Sequence, residues 1–211
     1  MLLDIGVGIM MALLVGKIFA VSAILPIEAS ITIMVIAGII FSLLMDIDAL
    51  INLFIHGGTG ASYKHRDLFH IPLFYIPIGM LTLYFFQLYQ STLYQPLHQL
   101  PPLTLPVLFG LCSLAHFIHD SIGLGWGVKW LYPFSDDQYS FFYQYNAHKA
   151  GLKRVIYVWK STDIDHLEEK YGDKDWFRHI YLNWHPYSLI EVAVFLFAVA
   201  LLITTIYLKK I

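Results

Sequence analysis

Long apolar runs separated by a few polar connections dominate this chain. Four windows, roughly residues 5–25, 31–54, 68–90 and 186–208, are apolar over the length a helix needs to cross a bilayer, about 20 residues. A fifth, about 103–122, is shorter and more polar. Pro26, Pro72, Pro106 and Pro186 fall near segment ends, where a first helical turn or a link tolerates proline. The pattern predicts an all-α, polytopic membrane bundle of about five transmembrane helices. The first window has no basic run before it and no clear small-x-small site, which predicts an anchor and not a removed signal peptide.

The connections are unequal. Residues 26–30 and 91–102 are short links without Lys or Arg, and residues 55–67 hold Gly57, Gly58 and Gly60 ahead of "KHRDLFH". Residues 123–185 form a long polar-aromatic excursion with eight basic and eight acidic residues. Its piece "STDIDHLEEKYGDKDWFRHIYLNW" predicts an amphipathic helix, lying on the membrane surface or packed on the bundle. The expected organisation is a four-helix membrane-embedded domain over 1–122, the interfacial excursion over 123–185 and a C-terminal transmembrane helix over 186–211.

Composition agrees with the hydropathy pattern. Hydrophobic residues make up 58% of the chain and charged residues 13%, against about 25% charged in soluble domains. A net charge of −2 gives no sign of a nucleic-acid partner. Cys112, the single cysteine, cannot close an intrachain disulfide and reads as a small core residue. Five crossings put the N-terminus, loop 55–67 and the excursion on one side. Ten of the 13 basic residues lie in those two loops, so this side leans cytoplasmic by the positive-inside rule.

The chemistry lies where ionisable residues interrupt apolar runs. "LLMDIDAL" carries Asp46 and Asp48, "KHRDLFH" carries His65, Arg66 and His70, and "LAHFIHDS" carries His116, His119 and Asp120. On the predicted topology all three stretches converge at one membrane depth on one side. An aspartate at the centre of a membrane helix costs about 2.5–3.5 kcal/mol, so such groups face a cavity and have partners. One arginine does not satisfy this many acids and imidazoles, whereas a divalent cation does. His116 and Asp120, one helical turn apart, can bind the same ion. Asp46 and Asp48 would diverge on a regular helix, so either the helix breaks near Asp46 or one carboxylate orients a histidine.

At these residues the sequence resembles the YdjM-like family of membrane proteins, described as LexA-regulated, membrane-bound, predicted metal-dependent hydrolases. The family pattern runs D-x-D-H, H-R-G-x-x-H-S and H-x-x-x-D, then a glycine-containing turn and a "P-F/W" stretch. The counterparts here are "DIDAL", "HRDLFHI", "HFIHD" and "SIGLGWGVKWLYPFS", over roughly residues 1–135. The resemblance implies Asp46, Asp48, His65, His70, His116 and Asp120 as metal-site residues, with Arg66 as a phosphate clamp. Ala49 replaces the family's histidine after D-x-D, and Asp67 and Ile71 replace its Gly and Ser. A histidine near the family's N-terminus is missing, and Asp4 lies close to its place as a substitute ligand. His119 is outside the family pattern and is expected to support the site or simply to pack.

These readings lead to a membrane hydrolase with one or more divalent ions, zinc foremost and manganese or iron as alternatives. The family's distant similarity to zinc-dependent phospholipases C implies phosphoester chemistry on a phospholipid or similar amphiphile. Asp48 or Asp120 is the expected proton acceptor, and Arg66, with Lys64 or Lys129, the expected anion holder. Two rivals are an ion or proton transporter and a non-catalytic membrane protein with a structural metal. Transport calls for ionisable residues through the full membrane thickness, and these cluster at one side.

Overall fold

A computed structural model describes residues 1–47, 70–89 and 99–209. The chain forms two compact units, one from Met1–Leu44, Ile76–Ala115 and Leu189–Ile211, the other from Met45–Tyr75 and His116–Ser188. Among the described residues, three helical runs, Ile27–Asp46, Pro72–Tyr89 and Pro186–Leu208, are long and apolar enough to cross a membrane. Two more helices, α1 (Leu2–Ile18) and α5 (Thr104–Asp120), have 17 residues each. At about 1.5 Å per residue they reach roughly 26 Å, a little short of a hydrocarbon core of about 30 Å.

In the first unit α1 pairs with α3 (Ile27–Leu43). The expected first window is not one helix: Ala20 turns left-handed at φ 49° and a single helical turn, α2 (Val21–Ile24), follows. Leu25 then extends into Pro26, which opens α3. A Cβ on Gly38 would stand 2.3 Å from the Gly8 carbonyl oxygen and 3.0 Å from Ala12, while one on Gly16 would meet Met34. That order makes the hairpin antiparallel. Small residues let the two backbones touch, the usual device where lipid removes the hydrophobic drive for helix association. Ala12, Val15, Met34, Leu108 and Cys112 form the buried core of this unit.

Helices α4 (Pro72–Tyr89) and α5 meet in the same unit by the same kind of approach, with Gly79 against the ring of Phe109. Gln87 fastens the far end, its Oε1 accepting from the Leu105 amide at 3.2 Å. A buried polar group inside a membrane bundle is stable only with such a partner. The last helix, α8 (Pro186–Lys209), contributes the backbone at Phe195, which leaves 3.0 Å for a Cβ on Gly6 of α1.

The second unit holds most of the excursion, and it contains a small sheet that the all-helical expectation lacked. Strands β1 (Gln138–Phe141) and β2 (Ile156–Trp159) run antiparallel, with Tyr139 opposite Val158 and Ser140 opposite Tyr157. Alternation along β2 buries Tyr157 and Trp159 and exposes Ile156 and Val158. Trp159 stacks on Tyr157 and meets Trp126 edge to face at 5.1 Å. Both indoles are satisfied, Trp159 donating to Ser140 and Trp126 to Glu168.

The charged piece expected as one amphipathic helix is interrupted. Its helix α7 (Ile164–Tyr171) ends at Gly172, where a Cβ would lie 2.3 Å from the Glu168 carbonyl oxygen, and a π-helical turn follows at Arg178–Leu182. Asp173 occupies the break. It accepts from Tyr145 on α6 (Tyr145–Lys149) at 2.7 Å, faces His179 Nδ1 at 2.7 Å and lies 3.6 Å from the Lys149 ammonium. Burial raises the Asp173 carboxyl, but the hydrogen bonds from His179, Tyr145 and the Asp175 amide, with the charge of Lys149, outweigh it and hold the group at about 2. Burial pushes the Tyr145 phenol up to about 12, helped by its hydrogen bond to Asp173 and by that carboxylate's charge. A local tertiary knot thus replaces helical continuity.

Candidate metal centre

Each ionisable side chain of the centre sits where a helix starts or stops. At its end α3 tightens into one 3-10 turn, Leu44–Asp46, with Ile47 helical again, so Asp46 sits where the α-helical hydrogen-bond pattern is locally altered. His70 precedes α4, whose first residue is Pro72; a proline there costs little because its missing N–H would be unpaired anyway. His116 and Asp120 occupy the last turn of α5 on one face. Beyond Asp120 the chain leaves the helix through Gly123 at φ +96°.

These side chains converge within the second unit. Asp46, His70 and His116 each offer a ligand atom, and the three atoms lie within 4.8 Å of one another. His116 Nε2 is 3.6 Å from Asp46 Oδ1 and 3.4 Å from Asp120 Oδ2, while His70 Nε2 is 2.9 Å from Asp120 Oδ2. Ligands about 2.1 Å from a tetrahedral ion stand roughly 3.4 Å apart, so these separations fit a divalent ion. Two imidazoles with carboxylates suit zinc and also manganese or iron. Asp120 approaches the same Nε2 atoms that would bind metal. Its Oδ2 thus faces both rings from the side on which Asp46 also approaches His116.

Burial is graded across the centre. The side chains of His70 and His116 are 0% and 2% exposed, Asp120 11% and Asp46 34%. Phe117, fully buried, packs edge-on against His70, His116 and Tyr75, and also meets Trp130. Trp130 in turn donates to Ser121 Oγ at 2.8 Å, and that hydroxyl donates to the Phe117 carbonyl at 2.8 Å. The excursion is thereby tied to the end of α5, and the imidazoles are held in a dry aromatic setting.

Of the residues expected at the site, Asp46, His70, His116 and Asp120 come together. Asp48, Lys64, His65 and Arg66 lie outside the described residues. Asp4 belongs to the first unit, 3.0 Å from the Met1 ammonium, which also lies 3.6 Å from the buried Glu191. Lys129 is half-buried just after the Gly127 turn. His119 faces Tyr187: its Nε2 is 2.5 Å from the phenol oxygen and the rings stack at 5.8 Å. Gly123 makes room for that contact, since a Cβ there would lie 2.0 Å from the Tyr187 ring.

Sequence reasoning did not anticipate Tyr187, Phe117 or Trp130. Tyr187 is 68 residues from His119, and no short-range spacing announces such a pair. Gly123 is the sequence signal for that pair: a glycine just past a helix allows a positive φ, and here it also leaves space for the Tyr187 ring.

Apolar helices of spanning length and an acid–imidazole cluster define a helical membrane protein with a candidate metal centre. The family model for the YdjM inner membrane protein matches residues 4–211, so the chain belongs to that family and is an inner membrane protein. No curated protein and no solved structure matches it.

Proposed function

We propose that the protein is a divalent-metal-dependent hydrolase of the inner membrane, acting on the phosphoester of a phospholipid or another amphiphilic phosphate. The observation that carries this reading is the graded exposure of the cluster: two imidazoles fully enclosed and one carboxylate, Asp46, one-third open. A purely structural site is closed on all sides, whereas a catalytic one keeps a face for water and substrate.

Asp46 with His70 and His116 would hold the ion, with Asp120 beside the two rings as a candidate further ligand, and a bound ion would supply polarisation of a phosphoryl oxygen and a more acidic water. The chain supplies the rest. Whichever of Asp48 and Asp120 is left unligated accepts the proton, and Arg66 with Lys64 or Lys129 clamps the anionic group. The aromatic wall around Phe117 and Trp130 excludes bulk water from the imidazoles, which strengthens every charge interaction there. The site-bearing side is assigned to the cytoplasm by the basic loops.

The test uses protein purified in a neutral detergent and loaded with zinc or manganese. Phosphate release from phosphatidic acid and from a soluble aryl phosphate is followed for wild type, Asp46→Asn and His116→Ala. Loss of turnover in both variants is expected. Full activity in either, or no hydrolysis of any phosphoester by a metal-replete wild type, overturns the proposal. Labelling engineered cysteines at 55–67 from outside the cell tests the orientation.

A further inference from the structure

We propose that loop 130–135 is a lip of the metal centre seated in the bilayer interface, so that an amphiphile reaches the centre from the lipid phase and not from water. Leu131, Tyr132, Pro133 and Phe134 form an unbroken exposed run, with Leu131 49% and Phe134 85% exposed. Three large apolar side chains and a proline in succession are poorly solvated by water, and such a run on a folded protein marks contact with something apolar. Lys129 before it and Asp136 and Asp137 after it confine the apolar stretch to the tip.

The occupant follows from where the loop is held. Tyr132 meets Phe74 edge to face at 6.3 Å, and Phe74 lies in the first turn of α4. Phe74, Ile78, Leu81 and Phe85 recur at helical spacing and are all exposed, on a helix long and apolar enough to cross the membrane. In an inner membrane protein such a stripe is a lipid contact. Tyr132 therefore continues the lipid-facing surface of α4 at its end, the level at which aromatic side chains gather in membrane proteins. A ring with an apolar body and a polar tip suits that boundary.

The backbone of the tip is prepared for a region poor in water. The Tyr132 amide donates to the Lys129 carbonyl at 3.4 Å, and those of Phe134 and Ser135 donate to the Leu131 carbonyl at 2.8 and 3.2 Å. Pro133 has no N–H, so residues 132–135 bring no amide that needs a water. At its other end the loop reaches the metal centre. Trp130 packs on Phe117 at 6.4 Å, and Phe117 packs on the rings of His70 and His116 at 5.9 and 6.1 Å. A lipid held against Tyr132 and Phe74 thus lies beside the segments that carry both imidazoles. Entry of substrate by this route rests on the hydrolase reading above; the seating of the loop does not.

Full-length protein in proteoliposomes tests both, with Cys112→Ala as the background. Single cysteines introduced by Phe134→Cys, by Phe197→Cys on the exposed surface of α8 and by Glu169→Cys on the exposed surface of α7 carry an environment-sensitive fluorophore. The label at 134 is expected to behave like that at 197, quenched by doxyl-labelled lipids and shielded from aqueous iodide, with 169 showing the reverse. Iodide access at 134 without lipid quenching overturns the proposal. Shielding from both quenchers, the mark of a second copy or another protein on the tip, overturns it too. Leu131→Ser/Phe134→Ser changes only exposed side chains, and in it the ratio of phosphatidic acid turnover to soluble aryl phosphate turnover is expected to fall roughly tenfold or more. An unchanged ratio overturns the lipid-side route. No hydrolysis of either substrate by metal-replete wild type removes the hydrolase reading, while quenching at 134 still decides the seating of the loop.

Discussion

Replacing His116 by alanine is the sharpest probe of the metal centre. His116 Nε2 stands 3.6 Å from Asp46 and 3.4 Å from Asp120, so this one imidazole sits between the two carboxylates. Its removal deletes a ligand and leaves two acids facing each other without the ring that separates them. Structural zinc sites bind with about 10–16 kcal/mol. Shared over four ligands, that is about 2.5–4 kcal/mol each, or roughly 10²–10³ in affinity. Metal content of purified wild type and His116→Ala, measured by mass spectrometry after competition with a chelator of graded strength, reads this directly. His166→Ala, on the exposed surface of α7, serves as the matched histidine loss. Equal metal retention in His116→Ala and wild type at every chelator strength would refute the assignment. So would a wild type that binds no divalent ion after reconstitution.

Three further outcomes follow from the packing. Gly38→Val should push α3 off the Gly8 backbone, where only 2.3 Å is available, and cost about 1–3 kcal/mol, seen as a lower midpoint in denaturing-detergent titration. Gly123→Ala places a methyl 2.0 Å from the Tyr187 ring at a positive φ. It should destabilise the end of α5 by roughly 1–3 kcal/mol and shift Trp130 fluorescence, whereas Tyr187→Ala/Gly123→Ala should recover part of the loss. Asp173 titrates well below its ordinary 3.8, at about 2, so its contribution to stability is full above about pH 4 and is lost as pH falls toward 2. Limited proteolysis of the excursion should show that acid-dependent opening in wild type, and Asp173→Asn should already be open at neutral pH.

Hydropathy alone made the membrane bundle legible, because a run of about 20 apolar residues has few stable fates other than a spanning helix. The candidate metal cluster was legible for a related reason. Asp46, His70, His116 and Asp120 interrupt apolar runs, where an unpartnered charge is too costly to keep. Spacing within α5 also pairs His116 with Asp120 on one helical face. It could not say that His119, equally near in sequence, turns to Tyr187 instead. Helical geometry gives each side chain a direction only relative to its own axis, so a partner on another helix is decided by packing.

The excursion shows the other limit. Its charge pattern reads as one amphipathic helix, yet Asp173 gathers Tyr145, Lys149 and His179 into a knot, and the helix stops at Gly172. Nor does periodicity announce the pairing of β1 with β2, since two four-residue strands carry little alternation to read. The chain by itself determined that the protein lives in a membrane and which ionisable residues interrupt its apolar runs, because transfer into lipid acts on each segment separately. Only the tertiary structure decided that Asp120 faces both histidines and that Asp173 meets Tyr145 and His179. Those facts depend on distances between segments remote in sequence, and such distances are set by the packing of the whole.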